Sequence, residues 1–216
     1  MKTIKTVLSL SLLLIAAVVK GDLVTLTSGT GDVTLHENDI LTGTGGSETH
    51  VSIAAGATVT LRDVDITAIP KNQNHMWPGI SCEGSATIIL EGANAVKGGA
   101  ENYPGVMVPF ECTLTIQGGG SLDASSSGFG AGIGAAYGAA CGHICILGGV
   151  VTATGGTGAA GIGGAQASPG GGSISILGGT VSATGGSFAS GIGCGLNGMC
   201  DDILLRGGTV VATGGE

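Results

Sequence analysis

Charged and aromatic side chains are scarce in this 216-residue sequence, at 10% and 3% of the residues. After Cys112 the only charged residues are Asp123, Asp201, Asp202, Arg206 and Glu216. Enzymes that cleave polysaccharides need two facing carboxylates, or a base together with several cations. The residues after Cys112 cannot supply either set. The remaining acidic residues that could form a cluster are Asp63, Asp65, Glu91 and Glu101.

The sequence also lacks motifs for cofactors, metals and nucleophilic catalysis. Residues 193–198 match a dinucleotide-binding glycine pattern, but they lead into a strand of a repeat and not into a helix that could hold a pyrophosphate. Cys141 and Cys145 have only His143 nearby, which is too small a ligand set for structural zinc. No serine–histidine or cysteine–histidine pair is singled out by its spacing. We therefore expect no cofactor, no metal site and no catalytic residues.

Residues 1–21 have the pattern of a secretory signal peptide. Lys2 and Lys5 precede an apolar run from Val7 to Val19 that is short for a bilayer-spanning helix. Val19 and Gly21 are the small residues expected before a cleavage site. We predict cleavage after Gly21, export to the cell surface or the extracellular space, and no membrane association of the mature chain.

The mature chain is predicted to be acidic. The formal charge of the sequence is −8, and removal of Lys2, Lys5 and Lys20 gives −8 − 3 = −11. Nucleic acids, anionic lipids and anionic polysaccharides bind positive surfaces, so none of them is an expected partner.

The residues from about 112 to 216 repeat three short phrases every 29 or 30 positions. The first alternates apolar and polar residues before two glycines, as in Ile144-Cys-Ile-Leu-Gly-Gly. The second is typified by Val181-Ser-Ala-Thr-Gly-Gly, and the third is Gly-Ile-Gly. Equivalent positions in successive repeats are Leu122, Val151, Val181 and Val210, and likewise Ile133, Ile162 and Ile192.

Three strand-like phrases per period, 45 glycines and no helical segment are typical of an all-β, single-stranded parallel β-helix. We predict a right-handed solenoid over residues 51–216, preceded by an N-terminal cap and first irregular coil over residues 22–50. Residues one period apart should then stack, with apolar side chains inside and polar ones outside. Arg62 and Glu91 fall in one outward column, where an ion pair is expected.

Long insertions occur at one corner of the predicted coil, in residues 69–77 and 98–103. Insertions in repeat proteins form loops that often lie on the binding face. Aromatic rings stack on sugars, while amides and carboxylates bind sugar hydroxyls. The predicted glycan-binding residues are Trp77, Tyr103, Asn74, His75, Glu101 and Asn102. The alternative is that the aromatic residues only pack the turns against each other, which we favour for Phe129 and Phe188.

Six cysteines in an exported chain are available for disulfides. Cys112 and Cys141 lie nearly in one column of adjacent coils, and stacked coils about 4.8 Å apart are within disulfide reach. Cys194 and Cys200 lie in a single turn. These four are the disulfide candidates, with their pairing left open, whereas Cys145 is expected to point outward.

Three phrases carry a resemblance to a known family: Gly-Ala-Gly-Ile-Gly at 130–134, Gly-Gly-Thr-Val-Ser-Ala-Thr-Gly-Gly at 178–186 and Ala-Thr-Ile-Ile-Leu-Glu-Gly at 86–92. The chain resembles, from about residue 51 onward, the secreted bacterial glycine-rich repeat proteins labelled carbohydrate-binding-domain proteins. The resemblance implies a pectin-lyase-like right-handed β-helix and glycan binding at the cell surface, without catalytic residues to carry over.

The sequence therefore predicts a secreted or cell-surface, noncatalytic carbohydrate-binding or adhesive β-helix protein, with a glycan or surface polysaccharide as its partner. The alternative is a structural repeat segment that self-associates or binds another protein through its C-terminal end, where the repeats stop without a polar cap. A second alternative is a polysaccharide lyase or glycoside hydrolase.

Overall fold

The computed structural model describes residues 21–68, 76–99 and 101–216, and all regular elements among them are β-strands. The first ten strands are β1 Leu23–Leu26, β2 Asp32–Leu35, β3 Ile40–Thr44, β4 His50–Ile53, β5 Thr58–Ile66, β6 Ile80–Cys82, β7 Ala86–Glu91, β8 Ala93–Gly98, β9 Val106–Met107 and β10 Thr113–Gly118. The others are β11 Ser121–Ser126, β12 Ile133–Gly134, β13 His143–Ile146, β14 Val150–Thr154, β15 Ile162–Gly163, β16 Ile174–Ile176, β17 Thr180–Thr184, β18 Ile192–Gly193, β19 Ile203–Leu205 and β20 Thr209–Thr213.

The strands pair in parallel in two sheets that run along the solenoid. The large sheet has 13 strands, and its main path is β19-β16-β13-β10-β7-β5-β8-β11-β14-β17-β20. The small sheet has seven strands in the order β18-β15-β12-β9-β6-β4-β2. In the regular coils each strand pairs with the strand one coil away, and the chain visits both halves of the large sheet and then the small sheet. The predicted parallel β-helix is confirmed.

Apolar side chains one period apart stack inside the coils, as predicted. Val151 pairs with Leu122 on one side and with Val181 on the other, and Val181 pairs with Val210. Leu122, Val151 and Val181 are at most 1% exposed. Because successive residues of a strand point to opposite faces, the strict register keeps this apolar column inside from Leu122 to Val181.

The alternation of the first coil predicts two separate strands, at 59–62 and 65–68, with Asp63 at a turn position between them, but the structure has the single strand β5. It runs unbroken from Thr58 to Ile66, and it pairs with both β7 and β8. Asp63 provides the turn within the strand, since its φ of 53° lies in the left-handed region. Its carboxylate accepts the backbone N–H of Ala93 at 3.0 Å. This one strand therefore joins the two halves of the large sheet.

The predicted ion pair between Arg62 and Glu91 is confirmed. The two residues are paired in register, and Nε of Arg62 lies 2.6 Å from Oε2 of Glu91. Both side chains are nearly half exposed, so water screens the charges and the contribution to stability is at most about 1 kcal/mol.

The N-terminal strands already belong to the two sheets. The pairs β1 with β3 and β3 with β5 extend the large sheet, and β2 with β4 extends the small one. The predicted boundary at residue 50 between a cap with an irregular coil and the regular coils stays a prediction. None of the described residues forms a helix that is long and apolar enough to cross a membrane.

Of the four disulfide candidates, Cys194 and Cys200 are bonded to each other, whereas Cys112 and Cys141 are free thiols. Thr113 pairs with His143, so Cys112 lies level with residue 142. An offset of one residue in extended backbone turns a side chain to the other face. A pairing of Cys112 with Cys141 is therefore wrong for this structure.

Burial sets the chemistry of the free thiols. Cys141 is 1% exposed, and desolvation of the thiolate raises its pKa to about 12. Burial likewise raises the pKa of Cys82 to about 12, with a smaller contribution from the neighbouring Cys112. Cys145, predicted to point outward, is half-buried and lies in register with Thr115 and Ser175.

Replacing Cys194 and Cys200 with serine should lower the free energy of unfolding by about 2 kcal/mol, because the bond closes only a short loop and restricts the unfolded chain little. Urea unfolding of the double variant measures the change. Cys145→Ser, which removes a free thiol, is the control and should unfold like the parent. Equal midpoints for all three proteins would show that the bond does not contribute to stability.

Candidate functional site

Trp77, a predicted ligand-binding residue, packs against the preceding coil. Its indole Nε1–H donates to the carbonyl of Thr49 at 3.0 Å, and its ring centroid lies 5.7 Å from that of His50. The Trp77 side chain is half-buried. Asn74 and His75, which the sequence also placed in the site, lie outside the described residues.

Glu101, Asn102 and Tyr103 form a turn whose backbone is bound by the next coil. The carbonyl of Asn102 accepts the N–H of Tyr137 at 2.9 Å, and that of Tyr103 accepts the hydroxyl of Ser126 at 2.9 Å. Glu101 has a φ of 71°, which projects an exposed side chain from this turn. Three of the predicted residues are thus brought together at one corner of the rod.

Two further aromatic residues complete this corner. The backbone N–H of Phe129 donates to the carbonyl of Glu101, and the rings of Phe129 and Tyr137 lie 5.8 Å apart at an interplanar angle of 57°. Phe129 is 37% exposed and Tyr137 48% exposed. The five residues Glu101, Asn102, Tyr103, Phe129 and Tyr137 are called the aromatic corner below.

Tyr137 and the related residue Phe110 are not among the residues predicted from the sequence. Val106 and Ile133 are paired in the small sheet, and each is followed four positions later by an aromatic residue, Phe110 and Tyr137 respectively. Both aromatics are exposed, Phe110 at 57%. Alignment of the phrase Pro104-Gly-Val with the phrase Gly132-Ile-Gly would have shown an aromatic residue at the same distance in two successive coils.

Three of the acidic residues considered for polysaccharide cleavage have partners in their own surroundings. Asp63 binds the Ala93 N–H, Glu91 pairs with Arg62, and Asp65 accepts the hydroxyl of Thr67 at 2.6 Å. Each of these three carboxylates is thus held by a neighbouring group. Among the described residues, no three histidine, cysteine or acidic side chains are grouped so that they could hold a metal ion.

A second polar cluster lies on the outer face of the small sheet, in its first coils. His50 Nδ1 is 3.5 Å from Oδ1 of Asp32, and His50 Nε2 is 3.4 Å from Oγ of Ser81. Asp32 is directly opposite His50 in the pairing of β2 with β4. This cluster was not predictable from the sequence, since His50 is 18 residues from Asp32 and 31 from Ser81 and these coils differ in length.

Comparison with known families supports the β-helix fold. A family model described as a beta helix repeat matches residues 114–137, 146–166 and 174–196. No curated protein and no solved structure matches the chain. These matched segments contain Phe129 and Tyr137, whereas Asp32, His50 and Ser81 lie outside them.

Proposed function

We propose that the protein is an exported carbohydrate-binding or adhesive β-helix protein that recognises glycans at the aromatic corner and does not cleave the chains it binds. The observation that carries this proposal is the exposed ring pair of Phe129 and Tyr137 beside an exposed carboxylate, Glu101. Neighbouring exposed rings that form a contiguous apolar patch are a common mark of a binding surface.

The chemistry of the corner suits a neutral sugar. The C–H face of a pyranose is apolar and packs on an aromatic ring, and the ring hydroxyls need hydrogen-bond partners at its edge. Tyr137 offers both a face and a phenolic hydroxyl, while Glu101 offers carboxylate acceptors. The negative net charge of the chain, −8, would repel anionic polysaccharides.

The rigidity of the corner supports binding without a large loss of entropy. The turn that carries Glu101 is bound to the turns that carry Phe129 and Tyr137 by backbone hydrogen bonds. Trp77 belongs to the neighbouring turn, since the N–H of Gly99 donates to its carbonyl at 2.9 Å. A preformed surface of this kind orders few groups when a ligand binds.

Replacing Phe129 and Tyr137 together with alanine should weaken the binding of short neutral oligosaccharides about tenfold or more, since each ring contributes about 1 kcal/mol by stacking. A glycan array identifies the ligand, and titration calorimetry then compares the variants. The matched control is Phe188→Ala, which removes a 73% exposed aromatic ring two coils away.

Unaltered affinity in the double variant would place the site elsewhere. Absence of any bound glycan for the parent protein on the array would reject the function itself. The main-chain hydrogen bonds of both residues are kept in the alanine variants, so a loss of affinity reports on the rings.

A further inference from the structure

We propose that Ser81, His50 and Asp32 form a nucleophilic site that accepts small acyl groups from esters. This inference concerns a different face of the rod from the aromatic corner and does not rest on glycan binding. It adds a reaction to the proposed function, and its substrate class is an O-acyl ester with a short acyl chain.

The three side chains have the connectivity that a serine nucleophile requires. One imidazole nitrogen, Nε2, faces the hydroxyl of Ser81 at 3.4 Å, and the other, Nδ1, faces the carboxylate of Asp32 at 3.5 Å. A carboxylate at Nδ1 favours the tautomer with its proton on that nitrogen, which leaves the lone pair of Nε2 for the serine proton. Such distances are often longer without substrate than in a reacting complex.

The fold fixes this arrangement by register. His50 and Asp32 are opposite each other on adjacent strands, and the residue opposite His50 on the other side is Gly79, one before the pair of Val51 with Ile80. Ser81 lies diagonally across from His50, two residues beyond Gly79, and Nε2 of the imidazole reaches its hydroxyl along the outer face. The indole of Trp77 covers the imidazole from the side and restricts its orientation.

Two comparisons within the molecule show what is particular to this cluster. Ser52 is paired with Ser81 in the same outward column and is equally buried at 8%, but its hydroxyl is bound to that of Thr34 at 3.1 Å. His143 also contacts a serine, but there a single nitrogen, Nδ1, lies 3.0 Å from the hydroxyl of Ser173 and also accepts the backbone N–H of Ser173. Ser52 and His143 are therefore matched controls for Ser81 and His50, because neither belongs to the same chain of serine, imidazole and carboxylate.

Solvent exposure limits the size of the acyl group that can reach Ser81 and the contribution that Asp32 can make to the rate. Ser81 is only 8% exposed, so a bulky acyl group could not reach Oγ, whereas an acetyl group is the smallest common one. The Asp32 side chain is 91% exposed and His50 is 35% exposed. Asp32 is therefore a positioning residue whose effect is reduced by water.

The reaction is balanced without a cofactor. Oγ of Ser81 forms a bond to the acyl carbon while its proton passes to Nε2 of His50, and the bond from that carbon to the alcohol oxygen breaks as the alcohol takes up the proton. Water then attacks the acyl carbon and gives a proton to Nε2 of His50. The bond from that carbon to Oγ of Ser81 breaks, and Oγ takes the proton back. The products are the carboxylic acid, the alcohol and the unaltered protein.

Labelling of the full chain with methanesulfonyl fluoride, whose transferred group is close to acetyl in size, followed by peptide mass spectrometry, tests the nucleophile. We expect one adduct, on Ser81, together with slow hydrolysis of p-nitrophenyl acetate. His50→Gln should reduce the labelling rate about 100-fold, the usual contribution of a general base. Ser52→Ala and His143→Gln should label at the parent rate. Asp32→Asn should reduce the labelling rate less than His50→Gln does. Asp32→Glu, which keeps the carboxylate, should label at nearly the parent rate.

Absence of an adduct on the parent protein overturns the proposal, and that result does not depend on whether a variant folds. An adduct on another serine, or a labelling rate that His50→Gln leaves unchanged, overturns it as well. The Phe129→Ala, Tyr137→Ala double variant should label normally, so failure of glycan binding and failure of this site are separate outcomes.

Discussion

Gly161→Ala should lower the free energy of unfolding by about 3 kcal/mol, because the added methyl group has no space between two coils. It would lie 2.7 Å from the carbonyl oxygen of Gly191, and at 2.7 and 2.8 Å from backbone atoms of Thr184 and Ala153. All three are main-chain atoms, so no side chain can turn away. The coils cannot separate either, since the N–H of Ile162 donates to Gly191 at 2.9 Å.

Urea unfolding followed by circular dichroism measures this loss. The control is Gly170→Ala, because a methyl group there meets no atom within 4 Å. The control variant should unfold at the midpoint of the parent. Equal midpoints for Gly161→Ala and Gly170→Ala would show that the close approach of the coils at this corner is not needed for stability.

Asn94→Ala should cost about 3 kcal/mol as well, for a reason that is polar and not steric. Asn94 is 3% exposed and lies in register with the inward-facing Leu122. Its Oδ1 accepts the N–H of Val64 at 3.1 Å, and its Nδ2 donates to the carbonyls of Glu91 and Ser121 at 3.0 and 2.9 Å. Each buried group left without a partner costs about 1–3 kcal/mol.

The same unfolding experiment tests this prediction, with Gln117→Ala as the control. Gln117 carries the same kind of amide, but it is only half-buried, in the outward-facing pattern of β10. A loss of stability in Asn94→Ala no larger than in Gln117→Ala would mean that the three hydrogen bonds, which link three successive coils, do not hold the coils together.

The regular coils were predictable because their lengths are nearly constant. With 29 or 30 residues per coil, the position of Val181 in the sequence gives its neighbours Val151 and Val210 directly. The first coils lack this constancy, and β5 shows the consequence. A turn at Asp63 was expected to end a strand there, but pairing with β7 and β8 on either side keeps the strand continuous.

The candidate sites likewise contain some residues that were predictable from the sequence and others that only the structure brings together. The inserted segment before Tyr103 identified the corner, because insertions in a repeat must leave the rod as loops. Tyr137 belongs to a turn of ordinary length and gave no such signal; in the structure its N–H donates to the carbonyl of Asn102 at this corner. Asp32, His50 and Ser81 likewise meet only through strand pairing.

The sequence by itself determined the parallel β-helix, the inward columns and the outward ion pair of Arg62 with Glu91, since these depend only on period and alternation. The tertiary structure decided which side chains meet across coils of unequal length, which cysteines are bonded and where Trp77 packs. The physical reason is register. A shift of one residue in a strand reverses the face of every side chain, and hydrogen bonds between coils, which the sequence does not display, set that shift.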